Sequence, residues 1–171
     1  MLGKNKFYKL RKLIAACSQT SLVLNLLNLF IRLKFPTVEQ ITTADFAEWL
    51  LNLAKSQPFI LDARSQAEYE VSHLKAAVHI DPIAPDFSAT LNISKDTPIV
   101  VYCSIGYRSA KVAQQLQRQG FTSILNLSGG IFQWANEGRP IFKDDNYPTQ
   151  LVHPYDANWG KLLKASYHAQ N

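Results

Sequence analysis

Cysteine is scarce in this sequence: only Cys17 and Cys103 occur among 171 residues, far apart and in different surroundings. Two such residues support neither a disulfide scaffold nor a cysteine-rich zinc site. The 7 Gly and 8 Pro residues show no period, which excludes collagen-like and low-complexity chains. The 4 His residues lack metal-ligand spacing, so we expect no metal and no cofactor. The 47% hydrophobic content is enough for one globular core.

Acidic residues are absent from the first 34 positions, which carry 7 basic residues: Lys4, Lys6, Lys9, Arg11, Lys12, Arg32 and Lys34. From Phe35 onward, 11 basic residues stand against 13 acidic residues, so the main body is slightly acidic. A nucleic-acid-binding body is therefore not indicated. An anionic lipid surface suits the basic arm better, because apolar sequence follows its charges directly.

Residues 1–37 are predicted to form a basic and apolar helical arm. Between Lys12 and Arg32 lie 19 uncharged residues, and a helix of that length spans about 28 Å, which is marginal for crossing a membrane. A polar stripe recurs along it at helical spacing: Ser18, Ser21, Asn25, Asn28 and Arg32. Such a helix suits a membrane interface, a membrane span with its stripe against a partner, or packing on its own protein.

We expect residues 1–35 to associate with a membrane surface or a membrane-protein partner and to be dispensable for catalysis. A cleaved secretory signal is not favoured, because residues 29–35 contain no small-residue cleavage pattern. The expected location is the cytoplasm, with membrane attachment through the N-terminal segment.

Short helices and strands alternate through residues 38–142. Helical spacing after the capping pairs Thr42/Asp45 and Ser65/Glu68 predicts two helices, and further helices are predicted over 109–119 and 131–136. Short apolar runs predict strands at 59–61, 78–80, 99–102 and 124–127. This alternation indicates an α/β domain with a mainly parallel sheet covered on both faces. The tail, residues 143–171, is irregular until Asp156, which is predicted to cap one short final helix.

The stretch from Val101 to Ser109 carries the candidate chemistry. Cys103 stands where a buried strand ends and a helix begins, at the edge of the sheet where open α/β folds place ligands. Backbone N–H groups at a helix N-terminus, together with the charge of Arg108, favour a thiolate, which is the nucleophilic form of cysteine. The sequence therefore favours Cys103 as a reactive thiol.

The chain from about Glu39 to Phe142 resembles the rhodanese-like family of single-domain sulfurtransferases. The resemblance rests on several motifs in order: residues 60–64 with Glu68-Tyr69, then 72–74, then 103–109, then 127–131 through Trp134, Gly138 and Pro140. It implies a five-stranded parallel α/β fold in which Cys103 takes sulfane sulfur from a donor as a persulfide and passes it to a nucleophile. The chain departs from the family at Ser72–Ala77, where Pro and two Gly are missing.

The candidate site residues follow from this loop and this resemblance. Cys103 and Arg108 are the expected catalytic pair, and the substrate-binding candidates are Ser104, Ile105, Gly106, Tyr107 and Ser109. Asp62 and Arg64 resemble the family's structural pair at a strand end and are expected to support the site. His73 is predicted to be a hydrogen-bonded packing residue. The expected partners are a small anionic sulfur donor or a persulfide carrier protein, and a thiol or cyanide-like acceptor.

Two other functions remain open from the residues. A cysteine phosphatase or arsenate reductase also uses a Cys-to-Arg anion loop, but only four residues separate Cys103 from Arg108, whereas the phosphatase signature needs five. A membrane-associated docking module with the same fold is the other alternative, and the basic arm favours it.

Overall fold

The computed structural model describes residues 3–83, 87, 91–144 and 147–170, with side chains described from residue 19 onward. Cys17, Ser18 and the first five basic residues of the arm therefore have side chains outside the described part. The α-helices are α1 (Gly3–Lys34), α2 (Thr43–Leu51), α3 (Gln66–Val71), α4 (Tyr107–Arg118) and α5 (Gly130–Asn136).

Five parallel strands form the central sheet, which confirms the expected fold class. They are β1 (Glu39–Ile41), β2 (Phe59–Asp62), β3 (Val78–His79), β4 (Ile99–Tyr102) and β5 (Ile124–Leu127), in the spatial order β1-β5-β4-β2-β3. β4 lies in the middle between β2 and β5, and all of its residues are buried. Its β-branched run suits a strand covered on both faces. The residue that follows β4 therefore emerges at the centre of the sheet edge.

Alternate residues of β4 pack into two separate hydrophobic cores, one on each face of the sheet. Val100 and Tyr102 pack on one face with Phe46 of α2 and Trp134 of α5. Ile99 and Val101 pack on the other face, where α4 supplies Val112, Ala113 and Leu116. This period-two division of β4 explains why the strand has no polar side.

Most boundaries follow the predicted pattern. Thr42 caps α2, and the Ser65/Glu68 capping box opens α3. α4 begins at Tyr107, two residues before the predicted start, because Gly106 occupies the cap position in the left-handed conformation. The sequence did not predict β1 or the hairpin of β6 (Ile141–Lys143) and β7 (Tyr147–Thr149). Each of these strands has three residues, too few for a recognisable alternation.

The predicted single helix of the tail is wrong. Asp156 does accept a hydrogen bond from the Trp159 N–H at 2.8 Å, as a cap would. The chain then forms two short 3-10 helices, Trp159–Leu162 and Ala165–Tyr167. Between them, the side chain of Asn136 accepts a hydrogen bond from Lys164 N–H at 2.8 Å. This bond to the end of α5 uses a backbone group that a continuous helix would need.

The last third of α1 packs on the body. Leu24 and Ile31 are buried, as is Phe35 immediately after the helix. Asn28 Oδ1 accepts a hydrogen bond at 2.8 Å from the N–H of Gly129, just after β5. These contacts argue against an arm that is dispensable, because its removal would uncover core side chains. Among the helices described, none is both long and apolar enough to cross a membrane.

Asp62 and Arg64 form an ion pair with no solvent exposure at the end of β2. Arg64 Nη2 lies 2.6 Å from Asp62 Oδ2, and the Tyr102 hydroxyl donates to the same oxygen at 2.6 Å. Arg64 also donates to the carbonyl of Ser72, beyond α3. Burial alone would lower the pKa of Arg64, but the charge of Asp62 outweighs it and raises that pKa. The pair therefore connects the end of β2 to β4 and to the chain after α3.

We expect Arg64→Met to lower the free energy of unfolding by about 3–5 kcal/mol, because it leaves the buried Asp62 carboxylate unpaired. Urea unfolding measures this loss. Arg139→Met is the matched control: it breaks the half-exposed pair with Glu137 and should cost less than about 1 kcal/mol. Equal losses in the two variants would contradict the bracing role.

Candidate active site

Cys103 lies directly after β4, and only 1% of the residue is exposed. The N–H of Gly106 donates a hydrogen bond to Cys103 Sγ at 3.1 Å. Gly106 has φ +100°, a conformation that an L side chain rarely adopts, and it precedes the first turn of α4. The turn therefore places a backbone donor against the sulfur, at the N-terminus of a 12-residue helix.

The N-terminus of α5 holds the cysteine loop from the other side. Ile131 N–H donates to the carbonyl of Cys103 at 2.9 Å, and Phe132 N–H donates to the carbonyl of Ser104 at 3.1 Å. Gly130 permits this approach, because a Cβ there would lie 2.2 Å from the Cys103 carbonyl oxygen. The backbone of Cys103 is thus held by two hydrogen bonds from α5.

Arg108, Glu68 and Ser104 form a closed set of hydrogen bonds beside the thiol. Both terminal guanidinium nitrogens of Arg108, Nη1 and Nη2, donate to the Glu68 carboxylate at 2.7 Å. Ser104 Oγ accepts from Arg108 at 2.9 Å and donates to Glu68 at 2.8 Å. The Arg108 side chain remains 26% exposed, whereas that of Glu68 is 2% exposed. The bidentate geometry fixes the plane of the guanidinium, and Arg108 also lines the cavity at Cys103.

Glu68 and Arg108 each shift the pKa of the other towards the charged form. Burial would raise the pKa of Glu68, but hydrogen bonds and charge from Arg108, with bonds from Ser65 and Ser104, lower it to about 2. Burial would also lower the pKa of Arg108, but Glu68 and the nearby Cys103 sulfur raise it above its ordinary value. Both groups therefore stay ionised at neutral pH.

Ser109 differs from its predicted substrate-binding role. Its buried hydroxyl donates to Asn126 Oδ1 at 2.6 Å, and Asn126 in turn donates to the carbonyl of Gly106 at 3.0 Å. The pair ties the cysteine turn to β5, so Ser109 positions the loop and does not line the cavity. Asn126 was missed, although a lone amide within the apolar run Ile124–Leu127 was a detectable signal.

A cavity of about 390 Å³ opens at Cys103. It is lined by the predicted loop residues Cys103, Ser104, Ile105, Tyr107 and Arg108, and also by Leu27, Phe30, Ile31, Tyr155 and Trp159. The last five were missed, because they come from α1 and the tail, which the resemblance does not cover. Glu68 was recognised as a capping residue and as part of a family motif, but nothing in the sequence showed that its carboxylate also binds Arg108.

Asp62, Arg64 and His73 do not line the cavity. His73 stacks on Tyr69, with ring centroids 4.4 Å apart, and its Nδ1 lies 3.0 Å from the carbonyl of Leu74. It is thus a packed and hydrogen-bonded residue, as expected. Across the described residues, no group of three or more His, Cys, Asp or Glu side chains is arranged to hold a metal ion.

Comparisons with known proteins agree with this geometry. A sulfurtransferase from Allochromatium vinosum is 36% identical over 86 residues, 48% of this chain and 76% of that protein. Thiosulfate sulfurtransferase GlpE from Coxiella burnetii is 37% identical over 75 residues, 44% of this chain and 69% of that protein. Adenylyltransferase and sulfurtransferase uba4 from Ogataea parapolymorpha is 29% identical over 89 residues, 52% of this chain, but the match spans only 23% of that protein.

A solved structure and a family model each match more than half of the chain. The crystal structure of a rhodanese-like domain protein from Staphylococcus aureus superposes with a TM-score of 0.53 at 27% identity, covering 63% of this chain and 99% of that one. The rhodanese-like domain model matches residues 46–137, more than half of the chain. Because this match covers more than half of the chain, including α3, the cysteine loop and all of α5, the chain belongs to the rhodanese-like family.

Proposed function

We propose that this protein is a sulfurtransferase in which Cys103 carries sulfane sulfur as a persulfide. The observation that carries the proposal is the 3.1 Å hydrogen bond from Gly106 N–H to Cys103 Sγ, at the N-terminus of α4 and at the base of an open cavity. A thiolate held in this way is the form of cysteine that attacks sulfur. The named activities of the two sulfurtransferase relatives support the same chemistry.

The reaction has two displacements at the same sulfur atom. The Cys103 thiolate attacks the outer sulfur of thiosulfate or of a persulfide, so that a new S–S bond forms while the donor's S–S bond breaks. Sulfite or a thiolate leaves with the bonding electron pair. A thiol or cyanide-like acceptor then attacks the outer sulfur, and the Cys103 thiolate leaves in its turn. The transferred sulfur keeps its oxidation state, so no external oxidant or reductant is needed.

Arg108 serves this reaction by charge and position. Its exposed edge lines the cavity and can contact an anionic donor, while Glu68 holds the other side of the guanidinium. A phosphatase would need a wider loop, with five residues between the cysteine and the arginine, to surround a tetrahedral oxyanion. The four-residue loop between Cys103 and Arg108 favours sulfur transfer over that alternative.

The outer face of α1 supports a second proposal, attachment to an anionic membrane surface. Leu22, Leu26, Leu29 and Leu33 are spaced along one face of the helix and are all more than half exposed. No acidic residue occurs in the first 34 positions, whose charge is complementary to anionic lipid. Burial of the leucine side chains would contribute to the binding free energy. Electrostatic attraction would add about 1 kcal/mol for each basic residue near an anionic surface, and together they would hold the helix in the interface.

We expect Cys103→Ser to abolish sulfur transfer from thiosulfate to cyanide and to keep the native thermal transition, because the two side chains are similar in size. Mass spectrometry of the wild type after thiosulfate should show one added sulfur atom on Cys103, which cyanide removes. Cys17→Ser is the control and should transfer sulfur normally. A persulfide on Cys17, or phosphate-ester hydrolysis that Cys103→Ser removes, would contradict the assignment.

The stability supplied by Glu68 should depend on acid pH. Its folded pKa of about 2 lies below the ordinary value of 4.5, so its contribution is fully present above 4.5 and is lost as the pH falls towards 2. Urea unfolding of the wild type and Glu68→Gln should give a difference that is constant near neutral pH and shrinks over that range. Glu48→Gln, at an exposed position of α2, controls for the loss of one charge. A difference independent of pH would contradict the ion pair.

Flotation with vesicles tests the membrane proposal. The full chain should float with anionic vesicles and less with neutral ones, because both charge and apolar burial contribute. The double variant Leu26→Ser with Leu33→Ser should stay in the soluble fraction and retain sulfur transfer, since neither leucine lines the cavity. Equal recovery of the two proteins with anionic vesicles would exclude this face as the attachment site.

A further inference from the structure

The cavity at Cys103 has walls that the family match does not include. Leu27, Phe30 and Ile31 come from α1, and Tyr155 and Trp159 come from the tail. All five lie outside residues 46–137, the segment matched by the rhodanese-like model. They are apolar or aromatic, so the part of the cavity that lies outside the family match offers apolar surface rather than charge.

The α1 wall is held in place by the body. Ile31 is 2% exposed and packs in the same core as α4. Phe30 stacks on Tyr107 of the cysteine loop, with centroids 6.5 Å apart and planes inclined by 8°. Phe35 contacts the same tyrosine edge-on at 5.6 Å. α1 and the first residue of α4 therefore form one aromatic surface beside the thiol.

The tail wall is also built into the fold. Val152 has no solvent exposure and pairs with the end of the chain through the Tyr167 carbonyl at 2.7 Å. Tyr155, three residues later, adopts φ +68°, and its ring lies 4.9 Å from the Arg108 guanidinium carbon. A tyrosine in this conformation costs free energy that the surrounding contacts must offset. In this conformation the ring lies beside the Arg108 guanidinium, and both side chains line the cavity.

Charge and volume point to the same kind of substrate. Arg108 is the cationic lining residue, and its two bonds to Glu68 offset much of its attraction for an anion. The volume of about 390 Å³ falls in the range of sites that enclose organic ligands of drug size. A small inorganic ion would leave most of the apolar lining residues in contact with water.

We propose that α1 and the tail select a sulfur donor with an apolar alkyl or aryl body, which lies against Phe30 and Trp159 while its outer sulfur meets Cys103. The proposal rests on sulfur transfer at Cys103. The reacting step is the displacement given above: the Sγ–S bond forms, the donor's S–S bond breaks, and the organic group leaves with the electron pair.

A pair of donors with the same reacting group and the same charge measures the selection. Methanethiosulfonate and benzenethiosulfonate both give their outer sulfur to the Cys103 thiolate and release a sulfinate. Each kcat/KM is divided by the rate of the donor's uncatalysed reaction with cyanide, which removes the difference in leaving group. The full chain should prefer the aryl donor by roughly 10- to 100-fold, as expected for a ring that an apolar wall encloses.

Two variants locate the selection in the walls. Phe30→Ala and Trp159→Ala should each reduce the preference several-fold, because the rate with the aryl donor should fall more than the rate with methanethiosulfonate. Leu33→Ala, at a 73% exposed position of the same helix, is the matched control and should keep the wild-type preference. Thermal unfolding of each variant verifies that it is folded.

The outcomes separate this inference from the proposed function. Equal normalised kcat/KM values for the two donors in the wild type, with sulfur transfer intact, overturn the apolar selection alone. A preference that folded Phe30→Ala and Trp159→Ala both retain overturns the role of α1 and the tail. The absence of transfer from either donor and from thiosulfate, with no persulfide on Cys103, overturns the proposed function itself.

Discussion

The close approach of α5 to the cysteine loop is the constraint on which the site depends. Two backbone N–H groups from the start of α5 bind the carbonyls of Cys103 and Ser104, and only a glycine at position 130 leaves room for them. Since these carbonyls are fixed, the following turn through Gly106 can point its own N–H at the sulfur. The thiol environment is thus made mostly of backbone groups, which need no reorganisation when charge develops.

The charged side chains of Glu68 and Arg108 form a second set of contacts around this backbone. Glu68 is placed by its capping box with Ser65, a purely local device of α3, and the same carboxylate then holds Arg108 from α4. One carboxylate therefore links a helix start to the orientation of the loop arginine. A neutral replacement of Glu68 keeps the cap geometry in part but frees the guanidinium, so helix formation and site geometry are coupled through this group.

The sequence predicted the parallel sheet and the cysteine loop because their signals are local. The β-branched run of β4, the capping pairs and the spacing from Cys103 to Arg108 each lie within a few residues. The cavity walls could not be predicted in the same way. Ile31 and Tyr155 are far from Cys103 in the sequence, and only the tertiary fold brings them to the same cavity. α1 carries apolar residues on so much of its surface that its sequence did not identify the buried face. Short pieces such as β1 and the tail's 3-10 helices lack a readable period.

α1 has one side that packs on the body and another that is exposed and apolar. This explains why its sequence was compatible both with packing and with a membrane interface. Leu24 and Ile31 face the body and Leu27 faces the cavity, while Leu26 and Leu33 face outward. A helix that packs on a protein and also presents an apolar face needs leucines nearly all round, with polar residues only where they are used. Asn28 is one such residue, because its side chain accepts the Gly129 N–H next to the start of α5. The same helix therefore supports the turn that fixes the cysteine loop, closes one side of the cavity and carries the exposed leucines.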